Sequence, residues 1–496
     1  MQQGIQMSKL WSQLSYHEND PLLFNSSFFL FFFTFFLVIF TAIYRFPKLR
    51  KPGFTLLSLY FFYKTCGWYV GFILLASVFD YYISHKIYEA ENKKLKKQLL
   101  ISSILLNIGL LFYFKYTNFF IGIINDCSHH QFSLLKLILP VGISFYTFEN
   151  LSYTIDVYRG TIKPVRKWID YIFFLSFFPK LMMGPIVRAA DFLPQINRRP
   201  FVTNEMLAQG LYLITAGIIK KVIISDYINA NYVIYIFNNP SAYSGIECLL
   251  AVYGYAMVIY CDFSGYSDMA LGMAKWMGFE IDINFISPYQ SNTLAQFWRR
   301  WHISLSNWLK DYIYIPLGGN RSTTILTYRN LIITMLIGGF WHGASFNFII
   351  WGGLHGCALA LERFRTSLGR KYLITLPHSA IATKALATIF TFHFVCGCWI
   401  FFRCANISES FAMLKQITTQ FHPHLLKSIV HSYKSVLIML IFAFALHAIP
   451  IKQETKFQHY LTKQPLAVKI IYLLLIVFIA IQFKQADAIK PVYLQF

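Results

Sequence analysis

Apolar runs recur from Leu22 to Phe483, and within each run the apolar residues are continuous, not alternating with polar ones. A membrane-crossing helix needs roughly 20 apolar residues, whereas a transmembrane strand shows about ten in alternation. The pattern therefore predicts an all-α, polytopic integral membrane protein with about eleven transmembrane helices, plus short re-entrant or interfacial ones. The runs fall at 22–44, 54–88, 99–122, 206–225, 246–266, 327–341, 346–362, 380–402, 433–450 and 466–483. The run at 54–88 reads as two short helices broken near Lys64 and Gly67. A further span begins at Pro140 and Gly142 and carries Glu149 and Asp156. Residues 123–132 read as a loop. No linker, repeat or soluble segment interrupts the series, so residues 1–496 are expected to form one integral membrane domain.

Two stretches break the pattern. Residues 172–200 (IFFLSFFPKLMMGPIVRAADFLPQINRRP) hold Pro179 and Pro185 beside Lys180 and Arg188. Proline bends or ends a helix, and irregular backbone at membrane depth is tolerated only against protein or a water-filled cavity. The segment either lines a cavity or loops between spans on the cytoplasmic side. Residues 297–312, taken as one helix, place Trp298, Trp301, Leu305, Trp308 and Tyr312 on one face and Arg299, His302, Ser306 and Lys310 beside it. Indoles next to cations describe a helix lying at the interface or dipping into a cavity. Pro316, Gly318 and Gly319 end it in a turn.

Composition agrees with the pattern. Of 496 residues, 56% are hydrophobic and only 13% charged, about half the charged fraction of a soluble domain. The net charge of +22 raises nucleic-acid binding, but the basic residues sit in short loops beside apolar runs, such as Arg45 to Lys51, Lys93 to Lys97, Lys163 to Lys167 and Arg363 to Lys371. That distribution marks cytoplasmic loops and attraction to anionic headgroups, and no nucleic-acid partner is expected. The polar stretch 1–20 precedes the first run and its basic flank follows it, an order that fits an external N-terminus and not a cleavable leader. The eight cysteines show no zinc-site or disulfide spacing, and Cys396 and Cys398 are one residue too close for a redox pair.

The candidate chemistry is concentrated between Phe297 and His355. Ionisable groups at membrane depth are costly and mark functional sites. His342 ends an apolar run, one turn after Gly338 and Gly339, where a substrate can approach its ring. A neutral, partly buried histidine there suits removal of a proton from an acceptor hydroxyl; the alternative is a core histidine bonded to a carbonyl. His355 lies thirteen residues on and faces another way. Asp262 and Asp268 either orient histidines, bind a cation or cap a helix. His129 and His130 fall in a polar loop. No HExxH, CxxC pair, P-loop or GxSxG is present, so neither a metal nor a bound cofactor is expected.

Four blocks resemble the membrane-bound O-acyltransferase family, in its bacterial branch concerned with alginate O-acetylation. They are GISFYTFENLSYTIDVYRG at 142–160, FFPKLMMGPIVRAADFLPQ at 177–195, YCDFSGYSDMALG at 260–272, and FWRRWHISLSNWLKDYIYIPLGGNR at 297–321 with FWHGASFNFIIWGGLHG at 340–356. The resemblance implies a ring of tilted helices around a thin core with a tunnel, and core motifs within 140–360. It implies His342 as catalytic base and His302 as a second active-site residue that positions or polarises the donor carbonyl. Arg299, Arg300, Trp301, Asn307, Lys310 and Trp341 become the candidate substrate contacts. The donor would be a cytoplasmic acyl thioester, above all acetyl-CoA. The acceptor would be a cell-surface polysaccharide reached through a periplasmic partner enzyme, and the setting the bacterial cytoplasmic membrane. Transfer of D-alanine to teichoic acid is the rival within the family, and a proton-coupled transporter the rival outside it. The catalytic imidazole is expected to be reachable from both aqueous sides.

Overall fold

The computed structural model describes residues 13–17, 21–24, 26–128, 131–198, 201–321, 323–371, 381–483 and 491, and every regular element among them is helical. Six of these helices are long and apolar enough to cross a membrane, and the pair Pro423–Ser432 and Lys434–His447, bent by 91°, makes a seventh candidate. That is fewer than the eleven expected. Runs such as Ile143–Arg159 are shorter than a span, carry charge and are largely buried within the protein, so they need not meet the requirements of a lipid-facing helix. The helices gather into two compact units, Met1–Gly210 with Met269–Asp282, and Leu211–Asp268 with Ile283–Phe496.

The first unit begins with α1 (Ser27–Ile43), α2 (Pro47–Cys66), α3 (Val70–Glu89), α4 (Lys93–Lys115) and α5 (Thr117–Cys127). The break between α2 and α3 falls at Gly67, as the pattern predicts, whereas α5 occupies the first half of the expected loop. His129 and His130 lie outside the described residues. The phenylalanine-rich α1 packs rings on α2 and on Phe178, with centroids 4.8 Å apart for Phe36–Phe178 and for Phe40–Phe54. Next come α6 (Ile143–Arg159), α7 (Trp168–Ser176) and α8 (Ala189–Ile196). A buried polar relay ties four of these helices. Asp80 accepts from Ser103 Oγ (2.5 Å) and Asn107 Nδ2 (2.7 Å), Asn150 donates to Asn107 Oδ1 (3.1 Å), and Tyr171 donates to Asn150 Oδ1 (2.6 Å).

The proline-rich segment divides: its first part is packed inside the protein, while Ala190, Asp191, Pro194, Asn197 and Arg198 are exposed and Asn197 lines a cavity. Residues 171–187 are buried throughout. The Glu149 carboxylate organises them: it pairs with Lys180 and accepts from the Val187 N–H (3.2 Å). The Lys180 ammonium also lies 4.4 Å from the Phe174 ring centroid. Irregular backbone thus survives here because protein supplies its partners.

In the second unit, α9 (Asn204–Asn238) is interrupted by π-helical turns at Ile219–Ser225 and Asn229–Val233, and α10 (Gly245–Trp276) is the longest uninterrupted helix. The first π turn carries two consecutive lysines that reach different carboxylates. Lys221 bonds both Asp226 (2.6 Å) and Asp262 (2.5 Å), and Lys220 bonds Asp268 (2.6 Å). Asp262 and Asp268 are therefore ion-pair partners and do not cap a helix.

The chain continues through α11 (Leu294–Trp298), α12 (Ile303–Leu309), α13 (Thr324–His342), α14 (Phe346–Lys371) and α15 (Ile381–Arg403), then α16 (Ile407–Thr419), α17 (Leu426–Ser432), α18 (Lys434–His447), α19 (Ile451–Lys463) and α20 (Leu466–Phe483). The single helix expected over 297–312 is instead two short ones, α11 and α12, followed by a π turn at Lys310–Tyr314. The two-faced arrangement of indoles and cations therefore does not form. Helices α13 and α14 make a tight hairpin whose backbones touch: a Cβ on Gly339 would meet Phe348 O at 2.3 Å, and one on Gly352 would meet Met335 O at 2.4 Å.

Removing one partner of a buried ion pair strands the other and costs about 3–5 kcal/mol. Lys221→Met is expected to lower the midpoint of thermal unfolding in detergent sharply, and adding Asp226→Asn and Asp262→Asn to recover much of the loss. A single variant as stable as the parent would show that the triad carries no folding energy.

Candidate active site

The break between α11 and α12 falls on the histidine of interest. His302 is fully buried and has φ of 43°, a left-handed conformation that side chains other than glycine seldom adopt. Such strain costs about 1–3 kcal/mol and persists only where surroundings over-determine it. Here Phe263 packs on the His302 ring (4.6 Å), and Asn284 supplies several of the hydrogen bonds that hold the bend. Its backbone oxygen accepts from Ile303 N–H (3.0 Å), while the neighbouring Ile286 N–H bonds Arg300 O (3.0 Å). Its side-chain Oδ1 accepts from Ser304 N–H (3.1 Å) and Ser304 Oγ (2.9 Å), and Nδ2 donates to Ser267 Oγ (3.4 Å).

His302 Nδ1 lies 3.3 Å from the same Asn284 Oδ1. Because a backbone N–H donates to that atom, it is the carbonyl oxygen, so the imidazole must donate to it. The neutral ring then carries its proton on Nδ1 and its lone pair on Nε2. Burial lowers the affinity of this imidazole for a second proton, to a pKa of about 3. His302 is thus an uncharged ring with an accepting Nε2. That form does not suit polarisation of a donor carbonyl, which needs a hydrogen-bond donor.

His342 ends α13. Trp341 (4.9 Å), Trp351 (5.1 Å) and Phe402 (5.3 Å) surround its ring, and the residue is 5% exposed. Trp341 also lies 6.3 Å from the His302 ring, so one indole joins the two histidines. Trp351 continues the chain to His355 (4.9 Å). There Trp298 Nε1 donates to His355 Nδ1 (3.4 Å), which puts the neutral proton of that ring on Nε2, the reverse of His302. The principal cavities are lined by neither His302 nor His342. In this conformation the imidazole expected to be reachable from both sides is enclosed by aromatic rings.

The other candidates separate. Trp301 is sunk in an aromatic core with Phe297 (5.6 Å) and Trp399 (5.0 Å). Arg300 reaches back to Ser287 O (3.5 Å). Asn307 and Lys310 are exposed and bond each other (3.4 Å), with Asp311 3.7 Å from the ammonium. Arg299 lines a polar cavity together with Arg363 and Asn320. Asn284 and Phe402 join this neighbourhood without a sequence signal, brought in by packing from other elements. Trp351 and Arg363 lie within a family-like block and a basic cluster but were not among the candidate site residues. Among the described residues no three His, Cys, Asp or Glu side chains converge as metal ligands.

Two outcomes follow from the Asn284 geometry. Asn284→Leu leaves three buried donors without an acceptor, at about 1–3 kcal/mol each, and is expected to cut activity at least about ten-fold. Asn284→Asp keeps the acceptor and should lose far less; equal losses in initial-rate assays would remove the positioning role. Because the folded protein holds His302 neutral, the unfolded chain binds the extra proton as pH falls below about 6.5. Stability should therefore decline from pH 7 to 5, by at most about 1.4 kcal/mol per unit from this residue. His302→Gln should flatten that part of a thermal-melt series.

Comparison with known proteins completes the assignment. Residues 164–407 match the model of the membrane-bound O-acyltransferase (MBOAT) family. A peptidoglycan O-acetyltransferase of Helicobacter pylori is 36% identical over 79% of this chain and 79% of its own length. A probable alginate O-acetylase of Pseudomonas aeruginosa is 40% identical over 79% of this chain and 74% of its own. A teichoic acid D-alanyltransferase of Bacillus subtilis is 31% identical over 54% of this chain and 69% of its own. The matched region contains the strained His302, the enclosed His342 and the indole between them, and the chain belongs to the membrane-bound O-acyltransferase family.

Proposed function

We propose that this multi-pass enzyme takes an acetyl group from a cytoplasmic thioester, acetyl-CoA, and delivers it to hydroxyls of a cell-wall or extracellular polysaccharide through an extracytoplasmic partner. The observation that carries this reading is the similarity, at 36–40% identity across more than seven-tenths of both chains, to an acetylase of peptidoglycan and an acetylase of alginate. The D-alanyl-transferring relative matches only 54% of this chain, which favours acetyl transfer over D-alanyl transfer. Membership of an acyltransferase family likewise favours an enzyme over a transporter. The basic clusters beside the apolar runs support a setting in the bacterial cytoplasmic membrane.

In this mechanism His342 takes the proton of the acceptor hydroxyl as its oxygen attacks the thioester carbonyl carbon. The tetrahedral intermediate collapses, the carbon–sulfur bond breaks, and the thiolate leaves with a proton returned to it. His302, with its lone pair on Nε2, orients a hydroxyl or a thiol proton. Trp341 sets the spacing of the two rings. Arg299 draws the donor's phosphates to the cytoplasmic side. The ring cage around His342 must part to admit both substrates, and Trp351 and Phe402 are the side chains that bar the way.

His342→Ala is expected to abolish acetyl transfer from labelled acetyl-CoA in membranes or nanodiscs while leaving the elution profile of the purified protein unchanged. Near-normal turnover in that variant would end the assignment of His342 as base. Arg299→Ala should raise the apparent KM for the donor several-fold, and an unaltered KM would exclude its role in donor binding.

A further inference from the structure

A polar cavity of about 670 Å³ lies between the first half of α13 and the second half of α14. Arg299 and Arg363 both line it. Among the described residues neither guanidinium is paired with a carboxylate. Arg363 Nη1 donates to Asn320 Oδ1 (2.8 Å), and Tyr314 Oη–H donates to the same oxygen (2.6 Å), so Asn320 offers the cavity its amide hydrogens. The one acidic wall residue, Glu362, is already engaged: its Oε2 accepts from Leu294 N–H (2.8 Å) and Ala295 N–H (3.4 Å).

Two forked cations and an amide donor facing one recess match phosphate oxygens. The recess is otherwise lined largely by threonine and serine hydroxyls and the Tyr328 ring, which suits a nucleotide better than a lipid tail. Its apolar residues include Leu331 and Leu359. From Leu331, α13 runs eleven residues to His342, roughly 16 Å at the rise of an α-helix. An extended phosphopantetheine arm covers such a span.

We infer that this cavity binds the phosphorylated nucleotide end of the thioester donor, with Arg299 and Arg363 on its phosphates and the arm directed along α13 toward His342. The inference rests on the reading of acetyl-CoA as donor and adds to it a specificity. A carrier-protein thioester brings the arm without the nucleotide, so the cavity selects free coenzyme A thioesters. Arg363 becomes a determinant of donor choice.

The experiment compares acetyl-CoA, acetyl-dephospho-CoA and acetylpantetheine as donors for the purified full-length protein in nanodiscs, with adenosine 3′,5′-bisphosphate as a competing probe. Arg363→Ala and Arg363→Lys are assayed beside the parent, each first checked for an unchanged melting temperature. The parent should show a KM for acetyl-CoA about ten-fold or more below that for acetylpantetheine, as expected for charge-assisted phosphate contacts. Arg363→Ala should close most of that gap by raising the acetyl-CoA KM, and should weaken inhibition by the bisphosphate. Arg363→Lys should lie between. If the parent uses acetyl-CoA and Arg363→Ala leaves its KM and the inhibition unchanged, the cavity is not the nucleotide site, while the donor reading stands. If anionic lipid in the nanodisc displaces the bisphosphate without affecting the KM for acetyl-CoA, the cavity is a headgroup site and the inference falls. If the parent accepts only a carrier-bound acyl group, the donor reading and the inference fall together.

Discussion

In hydrocarbon, a polar group has no solvent to bond, so each must find its partner inside the protein. Most of this architecture is an answer to that constraint. The carboxylate of Asp80 is spent on a serine and an asparagine, that of Glu149 on a lysine and a backbone N–H, and those of Asp226 and Asp262 on one lysine. These contacts fix where α3, α4 and α6 meet in one unit and how α9 meets α10 in the other. The π turns of α9 belong to the same region, since Lys220 and Lys221, which meet Asp268 and Asp262 of α10, both lie within the first of them.

The site obeys a different rule. His302 and His342 are surrounded by rings, and the small imidazole packs among indoles and phenyl rings on both sides. What limits the two histidines is orientation. Asn284 fixes the proton of one through a single carbonyl, at the expense of a left-handed backbone. Trp341 ties it to the other. Strain at an active-site residue is a known use of stored conformational energy. Here it ends one short helix and starts the next within four residues, which places the imidazole at the bend itself.

Much of this was legible in the chain. Continuous apolar runs gave the all-helical class, and the 466–483 run returned as a helix with the same bounds. The break at Gly67 and the histidine at the end of α13 were visible because glycine and a lone ionisable group stand out against apolar neighbours. The split at Arg299–His302 was not, because the spacing of its tryptophans fits a continuous helix, and only the pairing of residues 284–286 with 300–304 overrides that periodicity. Six or seven helices among the described residues are long and apolar enough to span, against about eleven runs in the sequence, for a related reason. Apolar sequence cannot tell a helix facing lipid from one facing protein, and Ile143–Arg159 is of the second kind. Asn284 carries no motif, and its importance arises entirely from tertiary placement.

The backbone contact between Gly339 and Gly352 has an evolutionary consequence. Where two main chains touch, no side chain is available to adjust the gap, and drift in packing elsewhere cannot retune it. A lineage that altered either glycine would have to re-thread the hairpin before its terminal imidazole returned to the same depth. The reach of any substrate arm is therefore set by absent atoms, and acyl selectivity is freest to diverge through the rings and loops around the hairpin.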